Sequence, residues 1–140
     1  MKSLKNISET ELHQLAQGLG KQYQGQDVAI ALVGPLGAGK TTFTKSFAQG
    51  LGIDRIKSPT FIVSAEYQLP KEKFYHIDLY RLQQESELTG IGIQDILDSP
   101  RRKVLIEWAD KFPAIIKQCN IIITFEVAPN NKRHVTITNN

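Results

Sequence analysis

Cysteine is nearly absent from this chain. Cys119 stands alone, so no disulfide can form within it. It sits beside the apolar run Ile121-Ile122-Ile123, which reads as a small core residue rather than a reactive thiol. Long hydrophobic runs are also missing. No stretch approaches the roughly 20 apolar residues of a membrane span. The opening "MKSLKNISETELHQ" has no apolar segment of the kind that marks a secretory leader. These absences give the expectation of a soluble, cytoplasmic protein with no membrane partner. Charge of one sign is scarce too: 17 basic against 14 acidic residues leave a net +3, only a weak pointer to an anionic partner such as nucleic acid. There is no internal repeat and no low-complexity linker.

The chain does have enough apolar material for one compact domain over residues 1–140, with 41% of its residues hydrophobic. Ser8-Glu9-Thr10-Glu11 has the form of a capping box. Leu12, Leu15, Ala16 and Leu19 follow at helical spacing, and Gly20 or Gly25 is expected to end that helix. Residues 27–33, "DVAIALV", read as a strand buried on both faces, as in a parallel sheet. Residues 41–51 read as a helix with Phe43, Phe47, Ala48 and Leu51 on one stripe and Gly52 as its stop. Further strands are expected over 61–67, 74–78, 103–108, 121–127 and 134–138. A helix, or two short helical turns broken at Gly90 and Gly92, is expected over 84–98. The fold class is therefore α/β, a mixed β-sheet with flanking helices, its late neighbouring strands supplying an antiparallel part.

Between the first buried strand and the next helix lies "GPLGAGKT", residues 34–41, which fits G-x4-G-K-[ST] at every fixed position. Gly34, Gly37 and Gly39 let the backbone turn so that successive N–H groups point inward at phosphate oxygens. The helix that starts near Gly39 adds the positive end of its dipole. Lys40 is positioned to reach the β- and γ-phosphates, Thr41 to ligate Mg²⁺, and Thr42 to touch the α-phosphate. The strand before and the helix after make this a P-loop NTPase-like arrangement.

The base and the chemistry are less directly written. The segment nearest to a guanine-reading tetrad, Asn131-Lys132-Arg133-His134, lacks the aspartate that accepts from guanine. ATP is favoured by elimination. A second carboxylate for Mg²⁺ should end a buried strand, and two qualify: Glu107 ends "VLIE" and Asp78 ends "FYHID". One can bind the metal while the other positions a water. Thr60 lies 20 residues after Lys40 in "KSPTF"; it reads either as a sensor of the γ-phosphate or as part of an ordinary turn stiffened by Pro59. Arg81 reads as a stabiliser of the transferring phosphoryl group or as a surface ion pair. Arg101-Arg102-Lys103 reads as a solvated charge run rather than a binding patch. His76 shares a strand face with Asp78, and either orients it or is a partly buried histidine. Trp108 either covers the nucleotide or belongs to the core.

Four segments, "GPLGAGKTTF", "KSPTF", "YHIDLYRL" and "VLIEWADK", occur in the order found in the TsaE (YjeE) family, and "GIGIQDIL" resembles the family's segment between the last two. The resemblance runs over roughly residues 8–138. It implies a small P-loop ATPase of bacterial tRNA threonylcarbamoyladenosine biosynthesis, with ATP and Mg²⁺ as cofactors. It further implies a TsaB–TsaD pair as partner, in which TsaD transfers a threonylcarbamoyl group to adenosine 37 of tRNAs reading ANN codons. The ATP cycle would reset that complex, and tRNA would be met only through it. Carried onto this chain, the resemblance assigns the phosphates to Gly37, Ala38, Gly39, Lys40, Thr41 and Thr42, and Mg²⁺ to Thr41 and Glu107. It assigns the hydrolytic site to Asp78 and Thr60, with Trp108 nearby, and the flanks of the base to Glu9, Thr10 and Arg133. Two other classes remain: a small-molecule kinase, for which the chain offers little room for an acceptor domain, and a nucleotide-dependent binding module that hardly hydrolyses.

Overall fold

The computed structural model describes residues 1–56 and 63–140. One sheet carries seven strands: β1 (Lys2–Ile7), β2 (Val28–Val33), β3 (Ser64–Gln68), β4 (Lys73–Asp78), β5 (Arg102–Glu107), β6 (Ile121–Ala128) and β7 (Lys132–Asn139). Their order across the sheet is β1-β7-β6-β2-β5-β4-β3. The β2 strand pairs in parallel with β5 and β6, and β4 pairs in parallel with β5. At the flanks β3, β7 and β1 pair antiparallel. The mixed sheet expected from the sequence is thus a parallel centre with antiparallel margins.

Both faces of the centre are covered, which is why β2 carries apolar residues without alternation. One face packs on α1 (Glu9–Gln22) and α2 (Lys40–Gly50). There Ile30, Leu32, Phe74, Leu105 and Ile123 from the strands meet Leu12, Ala16, Phe43 and Phe47 from the helices. Full burial of each of these Leu, Ile and Phe side chains contributes roughly 1.5–3 kcal/mol. Phe43 also meets Phe125 edge-on, with ring centroids 5.8 Å apart at 78°, a preferred geometry for aromatic pairs. The opposite face packs on α3 (Glu85–Gly90), α4 (Ile93–Asp98) and α5 (Pro113–Ile116), through Leu88, Ile93, Leu97 and Ile115 against Ala29, Ala31, Val104 and Ile106.

The capping box forms as expected. Ser8 Oγ accepts from the Glu11 N–H, and Glu11 Oε1 accepts from the Ser8 N–H, both at 3.1 Å. The helix does not stop at Gly20, however; it continues to Gln22. Gly20 has a packing role instead. A Cβ there would lie 2.2 Å from the Phe47 carbonyl oxygen, and a Cβ on Gly50 would lie 2.2 Å from that of Gln17. Two glycines therefore let α1 and α2 touch backbone to backbone. The sequence reading also missed β1 and α5. The β1 segment "KSLKNI" is a polar edge strand without apolar alternation, and α5 spans only four residues.

The basic run Arg101-Arg102-Lys103 leads into β5 and is not a solvated loop at its last member. Lys103 is fully buried, ion-paired with Glu72 and donating to the Gln26 carbonyl at 2.8 Å. Arg102 donates through Nε and Nη2 to the Leu97 carbonyl, at 3.2 and 2.8 Å, and so closes the end of α4. Cys119 is a core thiol as expected, its Sγ 3.4 Å from the Ile115 carbonyl oxygen; burial pushes its pKa up to about 11.

Two outcomes follow for stability and reactivity. Gly20→Ala should destabilise the fold by about 2 kcal/mol or more. Gly18→Ala, two residues away where a Cβ meets nothing within 4 Å, should stabilise it by up to about 1 kcal/mol. Urea denaturation of both variants checks the pair. At pH 8, Cys119 should be alkylated at least about 100-fold more slowly in the native protein than in guanidinium, because its thiolate is scarce and shielded.

Candidate nucleotide-binding site

The site forms where the parallel strands β2, β4 and β5 end, as ligand sites do in open α/β sheets. At Gly34 the chain leaves β2 with φ +149°, and a Cβ would lie 2.5 Å from the Phe125 carbonyl oxygen. Only glycine passes this point. At Gly39, φ is +110°, and α2 begins at the next residue. The loop between them wraps around the end of its own lysine. Lys40 is only 4% exposed. Its Nζ donates to the carbonyls of Gly34 and Pro35, the latter at 3.0 Å, and lies 3.9 Å from the centre of the Trp108 ring. Burial lowers the pKa of this ammonium, while the negative charges of Glu107, Asp110 and Asp78 oppose that shift.

Trp108 reaches this position because the chain turns sharply after β5, with φ +62° at Trp108 itself. Its N–H donates to the Leu32 carbonyl at 3.2 Å, so the turn is tied to the end of β2. Tyr80 packs against the indole with ring centroids 5.1 Å apart. Trp108 lines the cavity and also packs on the core of the α3–α5 face.

The two carboxylates come together through strand register. Asp78 and Glu107 are direct partners across β4 and β5. Glu107 is 3% exposed. Its Oε1 lies 3.4 Å from Thr41 Oγ1, and its Oε2 lies 2.6 Å from His76 Nε2. Asp78 Oδ1 accepts from the Tyr80 N–H at 2.9 Å. Burial raises the Asp78 pKa, and the Glu107 charge adds to the rise; the Tyr80 hydrogen bond and the Lys40 charge act against it. His76, read from the sequence as either orienting Asp78 or partly buried, is fully buried and contacts Glu107.

These residues line a cavity of about 560 Å³ together with Glu9, Gly37, Gly39, Thr42, Arg81 and Arg133. A smaller cavity of about 290 Å³ lies against Ala38, Glu9 and Arg133. Arg133 Nε and Nη1 are buried without a hydrogen-bond partner among the described residues. Gly34 supports the loop rather than lining the cavity, and Thr10, exposed on the first turn of α1, lines neither cavity. Thr60 lies outside the described residues. Tyr80 went unnoticed in the sequence as a wall of the site, although its place two residues after Asp78 was a usable signal.

The donor set suits a magnesium nucleotide. Thr41 and Glu107 offer hard oxygens side by side, and Mg²⁺ is commonly held by one or two such ligands plus substrate phosphates. Among the described residues no three His, Cys, Asp or Glu side chains gather to hold a metal, so phosphate oxygens and waters would complete the shell. The buried Nε and Nη1 of Arg133, without a partner among the described residues, and the loop at the start of α2 suit an anion.

A glycine turn between a parallel strand and a helix, with a lysine at the turn and a carboxylate on the neighbouring strand, defines a P-loop nucleotide-binding fold. The family described as "Threonylcarbamoyl adenosine biosynthesis protein TsaE" matches residues 6–135. The chain belongs to the TsaE family, which takes part in tRNA threonylcarbamoyladenosine biosynthesis. It is 37% identical to the TsaE protein of Aquifex aeolicus, covering 98% of each chain. It is 41% identical to that of Bacillus subtilis, over 78% of this chain and 68% of the relative. The crystal structure of Bacillus subtilis YdiB superposes with a TM-score of 0.71 at 30% identity, over 99% of this chain and 84% of that one.

The raised Asp78 pKa has a consequence for stability. Below the ordinary aspartate pKa of about 3.9, Asp78 is protonated in both folded and unfolded chains and costs nothing. As pH rises through that value and then through the higher folded one, ionisation is penalised only in the folded state, and stability falls. Asp78→Asn, which keeps an oxygen for the Tyr80 N–H, should raise the thermal midpoint at pH 7. The gain should disappear below pH ~4. Thermal melts at the two pH values check it.

Proposed function

We propose that this protein is a Mg²⁺-dependent ATPase that serves the threonylcarbamoylation of adenosine 37 in tRNAs reading ANN codons. It would act in the cytoplasm with a TsaB–TsaD complex, resetting it between turnovers and meeting tRNA only through it. The observation that carries the ATPase reading is the convergence of Lys40, Thr41, Asp78 and Glu107 at the ends of three adjacent strands. Family membership carries the pathway.

In this reading the loop amides of Gly37, Ala38, Gly39 and Thr42 cradle the phosphates. Lys40 exchanges the carbonyls of Gly34 and Pro35 for phosphate oxygens. Thr41 Oγ1 and Glu107 Oε1 hold Mg²⁺, which when bound supplies positive charge to the phosphate oxygens. Asp78, not taken up by the metal in the first instance, orients the attacking water through its second oxygen. Thr60 completes the hydrolytic site, and Trp108 and Tyr80 wall it from bulk solvent. Glu9 and Arg133 flank the base, with Thr10 beside Glu9 on the first turn of α1.

Phosphate release from Mg-ATP, with and without a purified TsaB–TsaD pair, tests the reading. Slow release alone and clear stimulation by the pair are expected. No stimulation with ATP still bound would contradict the partnership and favour a phosphoryl acceptor, hence a kinase. Lys40→Ala should reduce stimulated turnover at least about 100-fold. Glu107→Ala should do the same and leave the residue of turnover indifferent to added Mg²⁺. Should Asp78→Ala behave this way while Glu107→Ala does not, the two carboxylates have exchanged roles.

A further inference from the structure

We infer that His76 is a positioning residue for Glu107: it holds one carboxylate oxygen so that the other stays beside Thr41. The inference rests on the reading of Glu107 as the magnesium ligand and adds a residue to it. His76 lies on β4 two residues before Asp78, and its register partner on β5 is Leu105. Glu107 is then one diagonal step along the neighbouring strand on the same face, within reach of a long side chain. The contact, at 2.6 Å, is closed off from water, with His76 fully buried and the Glu107 side chain 5% exposed.

The other ring nitrogen identifies the proton's place. His76 Nδ1 is buried with no hydrogen-bond partner among the described residues. A hydrogen there would be a buried donor without an acceptor. A hydrogen on Nε2 leaves only a bare lone pair at Nδ1 and makes the short contact a donation to Glu107 Oε2. A histidine so fixed removes the carboxylate's freedom to rotate. It also keeps Glu107 from pairing with the Lys40 ammonium, whose hydrogen bonds go to Gly34 and Pro35 instead. Were that ion pair to form, both the cation ligand and the phosphate ligand would be drawn from their tasks. Partners that orient metal ligands commonly change metal affinity by about 10- to 100-fold.

The test is ADP binding by calorimetry at graded Mg²⁺, on the full chain. His76→Gln places an amide nitrogen near the lost Nε2; His76→Asn is equally polar but too short to reach Glu107; His76→Leu removes the donor. The Leu and Asn variants should raise the Mg²⁺ concentration at half effect about tenfold. The Gln variant should stay within about threefold of the parent, and ADP affinity in EDTA should be the same in all. Should the Leu variant fail to fold, the Asn–Gln pair alone decides. Equal Mg²⁺ dependence in the Asn and Gln variants, or a parental value for both Leu and Asn, would overturn the inference. Glu107→Ala serves as the control. If it shifts the Mg²⁺ dependence and the His76 variants do not, only the inference fails. If it shifts nothing, the reading of Glu107 fails first, and the inference with it.

Discussion

The interaction on which the site depends is the capture of the Lys40 ammonium by its own loop. A buried charge must find partners or lose its proton. Here the partners are two carbonyls one turn back in the sequence and the face of an indole. This single contact ties the glycine turn, the start of α2 and the turn after β5 into one unit. It also fills with positive charge the space to which a phosphate must come. The arrangement stores the lysine where it is needed without offering it to a carboxylate.

The sheet supplies the rest. Because β4 and β5 run parallel and in register, Asp78 and Glu107 arrive at the same level, opposite the first turn of α2. Burial of a carboxylate in such a place raises the Asp78 pKa, and the neighbouring Glu107 charge adds to the rise. Functional sites often carry such a cost in stability. The fold meets it with core layers on both faces of the sheet and with the close α1–α2 contact through Gly20 and Gly50. The far end of the same β5 face is also charged, yet there Lys103 is neutralised by Glu72 and the Gln26 carbonyl. One strand therefore carries the paired Lys103 at its start and the cavity-lining Glu107 at its finish.

What was legible in the sequence was local. The capping box at Ser8, the glycine turn and the strand-ending carboxylates each depend on residues a few positions apart, so spacing alone described them. What was hidden depends on residues far apart in the chain. Gly20 looks like a helix stop until α2 lies against it. Lys103 looks solvated until Glu72 is known to face it. His76 looks tied to Asp78, its neighbour on the strand, because only the β4–β5 register brings Glu107 closer. The edge strand β1 carries no hydrophobic period because most of its side chains are exposed. Thr60 and its segment lie outside the described residues.

Trp108 is the sole tryptophan of the chain and touches the Lys40 ammonium, so its emission reports directly on whether the lysine leaves its loop. The decisive measurement is Trp108 fluorescence during titration with Mg-ADP and Mg-ATP, alongside calorimetric binding. A saturable change in emission with the same midpoint as binding, absent in Lys40→Ala, is the predicted result. Binding without any change in emission would mean that Lys40 stays on the Gly34 and Pro35 carbonyls, and would contradict the account at its centre.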